Sequence, residues 1–299
     1  MWVLSWSLSN SVCPRQRVRA AMAFIASAFV ATLVFAQDHG VPPALAAFPD
    51  TGNFMRQVAE HQRLVEAALR QYTFTEKTTD YLLDKDGHVR KQHTDTYYVT
   101  PTSYEFFTLH VSHDGKPVSQ DDTEGQIKKM QQRMKEDERK AQRNETIHPQ
   151  GQMILADIIT RSNFTPLRRE QINGLETIVY SFEPTATSRP QGNLVEKISG
   201  DLKGTMWINP DEKEVVQLEF ASVSSLSFGL LGTVKGFHGV TEQQKVDGDL
   251  WCPTRQEYFA NGRELFKGLR IRQVSEYSDY LKATTDVVQQ ARTALPSSQ

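Results

Sequence analysis

The sequence predicts an α+β fold, in which a few helices accompany a single antiparallel sheet. The clearest strand signal is the alternation of apolar and polar residues over 202–208 and again over 216–220. A period of two places one set of side chains on each face of a sheet, which indicates half-buried strands. Five Asp-Gly or Asn-Gly dipeptides, at 86, 114, 173, 247 and 261, are typical of hairpin turns because they tolerate positive φ. They fall on both sides of one charged stretch, so we expect one sheet with a helical insertion.

The first 36 residues have the pattern of a secretory signal peptide. Arg15, Arg17 and Arg19 precede an apolar run over 20–35, and Ala36 ends a segment that suits signal peptidase. An uncleaved membrane anchor is the alternative. The run is shorter than the ~20 residues that a spanning helix needs. We therefore expect an exported protein that is not integral to the membrane once the signal is removed.

The predicted cleavage site defines the segment that follows. Cleavage after Ala36 leaves 37–49 as a proline- and alanine-rich linker, whereas cleavage after Ala46 removes most of that linker.

The sequence has two cysteines. Cys13 precedes the apolar run, so Cys252 is alone in the mature chain. An intramolecular disulfide and a thiolate metal cluster are thereby excluded. We interpret Cys252 as a small apolar residue of the core.

Composition indicates a globular chain and gives no support to nucleic-acid binding. Of 299 residues, 38% are hydrophobic and 23% charged, and the formal net charge is −2. Without the three arginines of the signal, 31 basic and 36 acidic side chains remain, a net charge of −5. A nucleic-acid-binding surface requires a basic face, so we expect no such partner.

An amphipathic helix begins the predicted domain. Asp50 and Thr51 are suited to cap it. Apolar or aromatic residues, with one histidine, then recur at helical spacing on one stripe: Phe54, Val58, His61, Val65, Ala68 and Tyr72. We interpret His61 as a packed or rim residue, with a catalytic or metal-binding role as the alternative.

A second, highly charged helix is predicted over 119–146. Its acidic start suits a helix N-terminus, and Ile127, Met130 and Met134 form a thin apolar stripe. The stripe favours a solvated helix that lies on the sheet, and a partner-binding arm is the alternative. A short helix is expected over 152–159, so the helical insertion spans 119–160.

Two further segments lie on either side of the helical insertion. The strand over 103–111 carries large apolar groups on both faces, which indicates that both are covered. The glycine-rich segment between residues 220 and 240 lacks the Lys-Ser/Thr pair of a phosphate-binding loop. It is either a flap at the mouth of a cavity or a packed loop.

We expect the domain to span 50–288, followed by a disordered tail over 289–299.

No motif of known enzyme chemistry is present, so we expect no cofactor and no metal. The sequence lacks a nucleophile elbow, a metalloprotease helix, a phosphate-binding loop and a dinucleotide fingerprint. His110 and His113 are three apart, and an odd offset on a strand sends side chains to opposite faces unless a bulge or turn intervenes. A hydrolase that uses the strand carboxylates Glu105 and Glu219 remains an alternative.

Several segments resemble one family of bacterial proteins. The motifs are GTMWIN at 204–209, VVQLE at 215–219, DGDLWCPTR at 247–255 and YSDY at 277–280. Together with the signal and the first helix, they resemble the outer-membrane lipoprotein-sorting (LolA-like) superfamily of periplasmic proteins, in its secreted bacterial branch. The resemblance implies an open, strongly curved antiparallel sheet, or half barrel, that wraps helices and leaves an apolar cavity for acyl chains.

The resulting hypothesis is a periplasmic carrier whose partner is a lipid or lipoprotein acyl chain. The helix from residue 50 would act as a partial lid. The alternative is a scaffold without enzymatic activity, whose partner is an envelope protein that contacts the charged helix over 119–146. The candidate ligand-binding residues are Phe54, Val58, Val65, Met206, Ile208, Val216, Leu218, Phe220, Leu269 and Ile271. Closed-core packing is the competing interpretation of each.

Overall fold

The structure, a computed structural model, describes residues 47–102, 106–143, 155–185, 200–227, 232–246, 248, 250–264 and 267–294. Within these ranges the helices are α1 (Thr51–Leu69), α2 (Gln120–Gln142), α3 (Leu155–Thr160) and α4 (Val287–Ala294). The strands are β1 (Tyr72–Leu83), β2 (Val89–Pro101), β3 (Phe106–His113), β4 (Lys116–Pro117), β5 (Ser162–Ile172), β6 (Leu175–Pro184), β7 (Leu202–Asn209), β8 (Glu214–Ser222), β9 (Leu226–Ser227), β10 (Gly232–Val246), β11 (Leu250–Glu264) and β12 (Lys267–Lys282).

All the described strands belong to one antiparallel sheet. Its order is β4-β3-β2-β1-β12-β11-β10-β8-β7-β6-β5, and β9 pairs with β10 off this path. The sheet is curved and open, because β4 and β5 end the path and do not close it. The pairing of β1 with β12 joins strands that are far apart in the sequence. The predicted α+β fold, a single open antiparallel sheet with a few helices, is confirmed.

Four of the five predicted hairpin turns are confirmed. Gly87, Gly115, Gly174 and Gly248 all have positive φ, between 76° and 88°, and each lies between two consecutive strands. These turns set the register of the hairpins on either side of the helical insertion.

The turn predicted at Asn261-Gly262 is wrong, because both residues lie inside β11. Asn261 pairs with Gly236 on one side and with Arg270 on the other. A Cβ on Gly262 would lie 2.3 Å from the carbonyl oxygen of Thr233 on β10. The glycine therefore permits a close approach of two strands, which a dipeptide pattern does not distinguish from a turn.

Helices α1 and α3 cover one face of the sheet, which we call the inner face. The carboxylate of Asp50 caps α1 by accepting a hydrogen bond from the backbone N–H of Asn53, at 2.8 Å. The backbone N–H of Leu155 donates to Oε1 of Glu66 at 3.0 Å, which ties α3 to α1. We call the apolar residues buried between these helices and the sheet the inner cluster; they are Phe54, Met55, Val58, Ala59, Leu155, Ile158, Ile159, Ile178, Tyr180, Phe182, Leu202, Met206, Ile208, Val215, Leu218, Phe220, Phe237 and Tyr258.

The charged helix α2 packs on the opposite, outer face. Successive residues of a strand point to opposite faces, and on β2 Val99 faces α1 while Tyr98 faces α2. Ile127 and Met130 of α2 are buried there, and Met134 is partly buried. The expected apolar stripe is confirmed. The expectation that strand β3 is covered on both faces holds only at its start, where Phe106 is buried on the inner face, because His110 and His113 further along are partly exposed.

The tail contains a helix that the sequence analysis did not predict. Helix α4 spans Val287–Ala294 where a disordered tail was expected from residue 289, and Ala291 is fully buried beside α2 on the outer face. The small side chain allows this close packing, and the helix is too short and polar to give a strong periodic signal. None of the described helices combines the length and the apolar character needed to cross a bilayer.

A second group of buried side chains on the inner face continues the core beneath the end of α1. It contains Leu69, Phe74, Tyr277, Tyr280 and Cys252, among others. Cys252 is fully buried, and burial raises the pKa of its thiol to about 12. The thiolate is the reactive form of cysteine, so this environment suits the predicted role as an apolar core residue.

Candidate functional site

The inner cluster contains most of the side chains that the sequence analysis assigned to ligand binding. Six of them are buried together between the helices and the sheet: Phe54, Val58, Met206, Ile208, Leu218 and Phe220. Val58, Met206 and Ile208 are completely buried. The helical period of α1 and the alternation of β7 and β8 account for this convergence, because each pattern sends one apolar set to the inner face.

The other predicted side chains lie outside this cluster. Val65 on α1 and Leu269 and Ile271 on β12 are partly buried. Val216 is buried but does not belong to the cluster. Strict alternation from Leu218 predicts that Val216 faces the inner cluster. A bulge between β7 and β8 instead pairs Ile208 with Val215, so Val215 enters the cluster in its place.

Strand β6 and helix α3 supply residues that the sequence analysis did not assign to the site. From β6, alternate residues Ile178, Tyr180 and Phe182 all face the inner cluster. Their alternation was visible in the sequence as one face of a hairpin, but nothing local showed that this face lies next to β7. That adjacency comes from the pairing of Tyr180 with Met206.

Tyr180 brings an unpaired polar group into this apolar interior. Its ring is fully buried, with the ring of Phe54 stacked at a centroid distance of 5.9 Å. Its hydroxyl group has no hydrogen-bond partner among the described residues. A buried hydroxyl left unsatisfied costs about 1–3 kcal/mol. Burial also raises the pKa of this phenol to about 12, so it is a neutral donor at physiological pH.

A buried carboxylate links α1 to the sheet beside the inner cluster. Nε2 of His61 on α1 lies 2.9 Å from Oε2 of Glu214, which is completely buried at the start of β8. Nε2 of Gln243 donates to the other carboxylate oxygen at 3.2 Å. Burial raises the pKa of Glu214, and the hydrogen bond from His61 opposes that rise. His61 is one-third exposed, as expected of a rim residue, and it holds the middle of α1 against β8.

A second buried carboxylate lies on the inner face between β1 and β12. The hydroxyl groups of Thr78, Ser275 and Tyr277 all donate to Oε1 of Glu76, at 3.1, 3.1 and 3.4 Å. Burial raises the pKa of Glu76 despite these three donors. On the inner face of β1 and β12, this buried polar group therefore lies beside the apolar side chains of Phe74, Tyr277 and Tyr280.

The residues behind the other functional predictions do not lie at this site. Glu219 is exposed on β8, on the side opposite the inner cluster, and Glu105 lies outside the described residues. Residues 228–231 of the glycine-rich segment lie outside them as well. The hydrolase, the flap and the binding of an envelope partner by α2 stay predictions.

Comparison of the sequence with protein-family models and with curated proteins finds no match. Three solved structures that match over most of the chain have low identity and low TM-scores. A putative outer membrane lipoprotein-sorting protein domain from Vibrio parahaemolyticus is 11% identical, over 80% of this chain and 97% of that one, at a TM-score of 0.34. A LolA superfamily protein from Nitrosomonas europaea is 13% identical, over 77% and 94%, at 0.35. A DUF1329 family protein from Desulfovibrio piger is 12% identical, over 83% and 100%, at 0.32.

The fold described above depends on none of these matches, because it follows from the strand registers and helix contacts of this chain.

Proposed function

We propose that the protein is a periplasmic carrier that holds the acyl chain of a lipid or lipoprotein between the inner face and helices α1 and α3. The unpaired hydroxyl group of Tyr180, buried inside the inner cluster, supports this proposal most directly. A ligand with a polar end and an apolar chain supplies the partner that the hydroxyl lacks and the contacts that the cluster favours. The predicted signal peptide supports the location.

Entry of the chain requires that the helices move. In the closed form described here the inner cluster is filled by the protein's own side chains, including Phe54 and Val58 of α1. An acyl chain gains about 0.8 kcal/mol for each methylene group that it buries. That gain offsets the loss of contacts between α1 and the sheet, so α1 moves outward and the ligand lies between the helix and the apolar face.

The edge of the inner cluster offers a positive charge to the polar end of such a ligand. The ammonium group of Lys213, in the turn between β7 and β8, lies 5.3 Å from the centroid of the Phe54 ring. That ring in turn stacks on Tyr180. A carboxylate or phosphate at this edge would interact with the ammonium group, while the Tyr180 hydroxyl donates a hydrogen bond to a ligand oxygen.

Titration with a fluorescent long-chain fatty acid tests the proposal. We expect saturable binding by the wild-type protein and an affinity about fivefold lower in Tyr180→Phe, because one hydrogen bond is worth about 1 kcal/mol. The unfolding free energy of the ligand-free variant should not fall, since the lost hydroxyl has no protein partner.

Tyr98→Phe is the matched control, because Tyr98 is buried on the outer face and lies in a different cluster. Its affinity for the fatty acid should equal that of the wild type. Absence of saturable binding by the wild-type protein, or equal losses in the two variants, would overturn the proposal.

A further inference from the structure

Three side chains on β2 and β3 direct nitrogen and oxygen atoms at one point on the inner face. Nε2 of His110 lies 2.8 Å from Oδ1 of Asp95, and Nδ1 of His113 lies 2.7 Å from the same oxygen. One such atom from each of the three residues lies within 4.8 Å of the others. We call Asp95, His110 and His113 the histidine–aspartate cluster.

A bulge in β3 creates this cluster. Tyr97 pairs with His110 and Asp95 pairs with His113, so β3 has one more residue than β2 over this interval. The extra residue changes the alternation, and two histidines three apart reach the same face. The sequence analysis expected His110 and His113 to point to opposite faces unless a bulge or turn intervened. The bulge is present, so the expectation of opposite faces is wrong.

The atoms of the cluster suit a divalent transition metal. Imidazole nitrogen and carboxylate oxygen bind zinc at about 2.0–2.2 Å, which separates tetrahedral ligands by about 3.3 Å. The atoms now joined by hydrogen bonds would part by roughly 0.5 Å as a metal replaces the shared protons. The carbonyl oxygen of Ser112, 2.9 Å from Nε2 of His110, is a further oxygen at the same point.

Surrounding groups orient the cluster as they do around bound metals. Nε2 of His113, the nitrogen that faces away from Asp95, lies 3.6 Å from Oδ2 of Asp114. The backbone N–H of Thr94 donates to Oδ1 of Asp114 at 2.8 Å and fixes that carboxylate. At 3.6 Å the contact with His113 is an ion pair and not a hydrogen bond. A metal-binding histidine commonly donates its other N–H to a carboxylate, and a shift of a few tenths of an ångström would allow Asp114 to accept that bond.

A third imidazole and another carboxylate border the site. Nε2 of His93 lies 3.9 Å from Oδ2 of Asp95 and 3.3 Å from Oδ2 of Asp80. Nε2 of Gln273 donates to Oδ1 of Asp80 at 2.8 Å. The carboxylates of Asp80, Asp95 and Asp114 bring negative charge to the site, which favours a cation.

A second group of similar composition shows what an ordinary turn looks like. Asp84, Asp86 and His88 lie together in the β1–β2 hairpin. Oδ1 of Asp84 already accepts the backbone N–H groups of Asp86 and His88, at 2.8 and 2.9 Å, so the turn explains that group. His88 is therefore a suitable control residue.

We propose that Asp95, His110 and His113 bind one divalent first-row transition ion of the zinc class, with His93 at the edge of the site. Their side chains are 13%, 33% and 55% exposed, so solvent can reach a bound ion and complete its coordination. The site is separate from the inner cluster and does not depend on acyl carriage.

Zinc titration by calorimetry tests the site, with the full chain carrying no histidine tag. We expect one ion per chain. Asp114→Asn should weaken binding by about 10-fold or more, and His110→Ala and Asp95→Asn by more than the roughly 100-fold limit for outer carboxylates. His88→Ala should bind zinc as the wild type does.

Cobalt supplies an independent readout, because its visible absorption reports the ligands directly. The bands of the cobalt complex should vanish in His110→Ala and persist in His88→Ala, while circular dichroism confirms that both variants are folded. The absence of stoichiometric binding, or equal losses in His88→Ala and His110→Ala, would overturn the proposal.

Discussion

Replacing Gly204 with alanine should destabilise the protein by about 3 kcal/mol or more. Gly204 lies in β7 between the inner-cluster residues Leu202 and Met206. A Cβ at this position would lie 1.9 Å from the carbonyl oxygen of Glu219 and 2.8 Å from Cα of Phe220. These are backbone atoms of the paired strand β8, so no side-chain rotation relieves the clash, and the two strands must separate.

Gly125→Ala is the matched control for this experiment. Gly125 lies within α2, and no heavy atom is found within 4 Å of a Cβ built on it. Alanine in a helix interior is favoured over glycine by roughly 0.5–1 kcal/mol, so this variant should be slightly more stable. Denaturant unfolding measures both. A loss of less than about 1 kcal/mol in Gly204→Ala would contradict the close approach of β7 and β8.

Val58→Asp should be at least as damaging, with a loss of about 3–5 kcal/mol, because it places an uncompensated charge in the core. Val58 lies on the side of α1 that faces the sheet and is completely buried in the inner cluster. The carboxylate can regain water only if α1 leaves the sheet. A fluorescent dye that binds apolar surfaces should therefore bind this variant under conditions in which the wild type excludes it.

Leu64→Asp provides the comparison on the same helix. Leu64 is 69% exposed, so a charge there remains hydrated and should change stability by no more than about 0.5 kcal/mol. Equal losses in the two variants would mean that α1 does not cover the apolar face.

Sequence patterns were sufficient for the elements whose burial follows from local periodicity. The stripe of α1 that includes Phe54 and Val58, and the alternation of Met206 and Ile208, both predicted residues of the inner cluster. The thin stripe of α2 likewise predicted a helix that lies on the sheet. In each case one face of the element is apolar, and the pattern is enough to orient it.

Features that depend on the partner strand could not be predicted in this way. The bulges opposite Trp207 and Tyr97 decide that Val215, and not Val216, enters the inner cluster and that His110 and His113 meet. Each bulge changes the alternation of one strand relative to its neighbour, so its position is defined by register between strands.

Buried carboxylates show the same limit. Glu76 and Glu214 resemble ordinary surface residues in the sequence. Glu76 is buried among Ser275 and Tyr277, about two hundred positions away, and Glu214 meets His61 from the first helix. Only the pairing of distant segments creates these environments.

The central claim, that an acyl chain displaces α1 from the inner face, is tested most directly by a distance between two spin labels. Leu64→Cys on α1 and Leu167→Cys on β5 place both labels at exposed positions. Cys252 is buried with a raised thiol pKa and should stay unlabelled, and Cys13→Ser removes the remaining cysteine. We expect a longer label-to-label distance to increase in population as a long-chain fatty acid saturates the protein. Saturation with an unchanged distance would contradict the account.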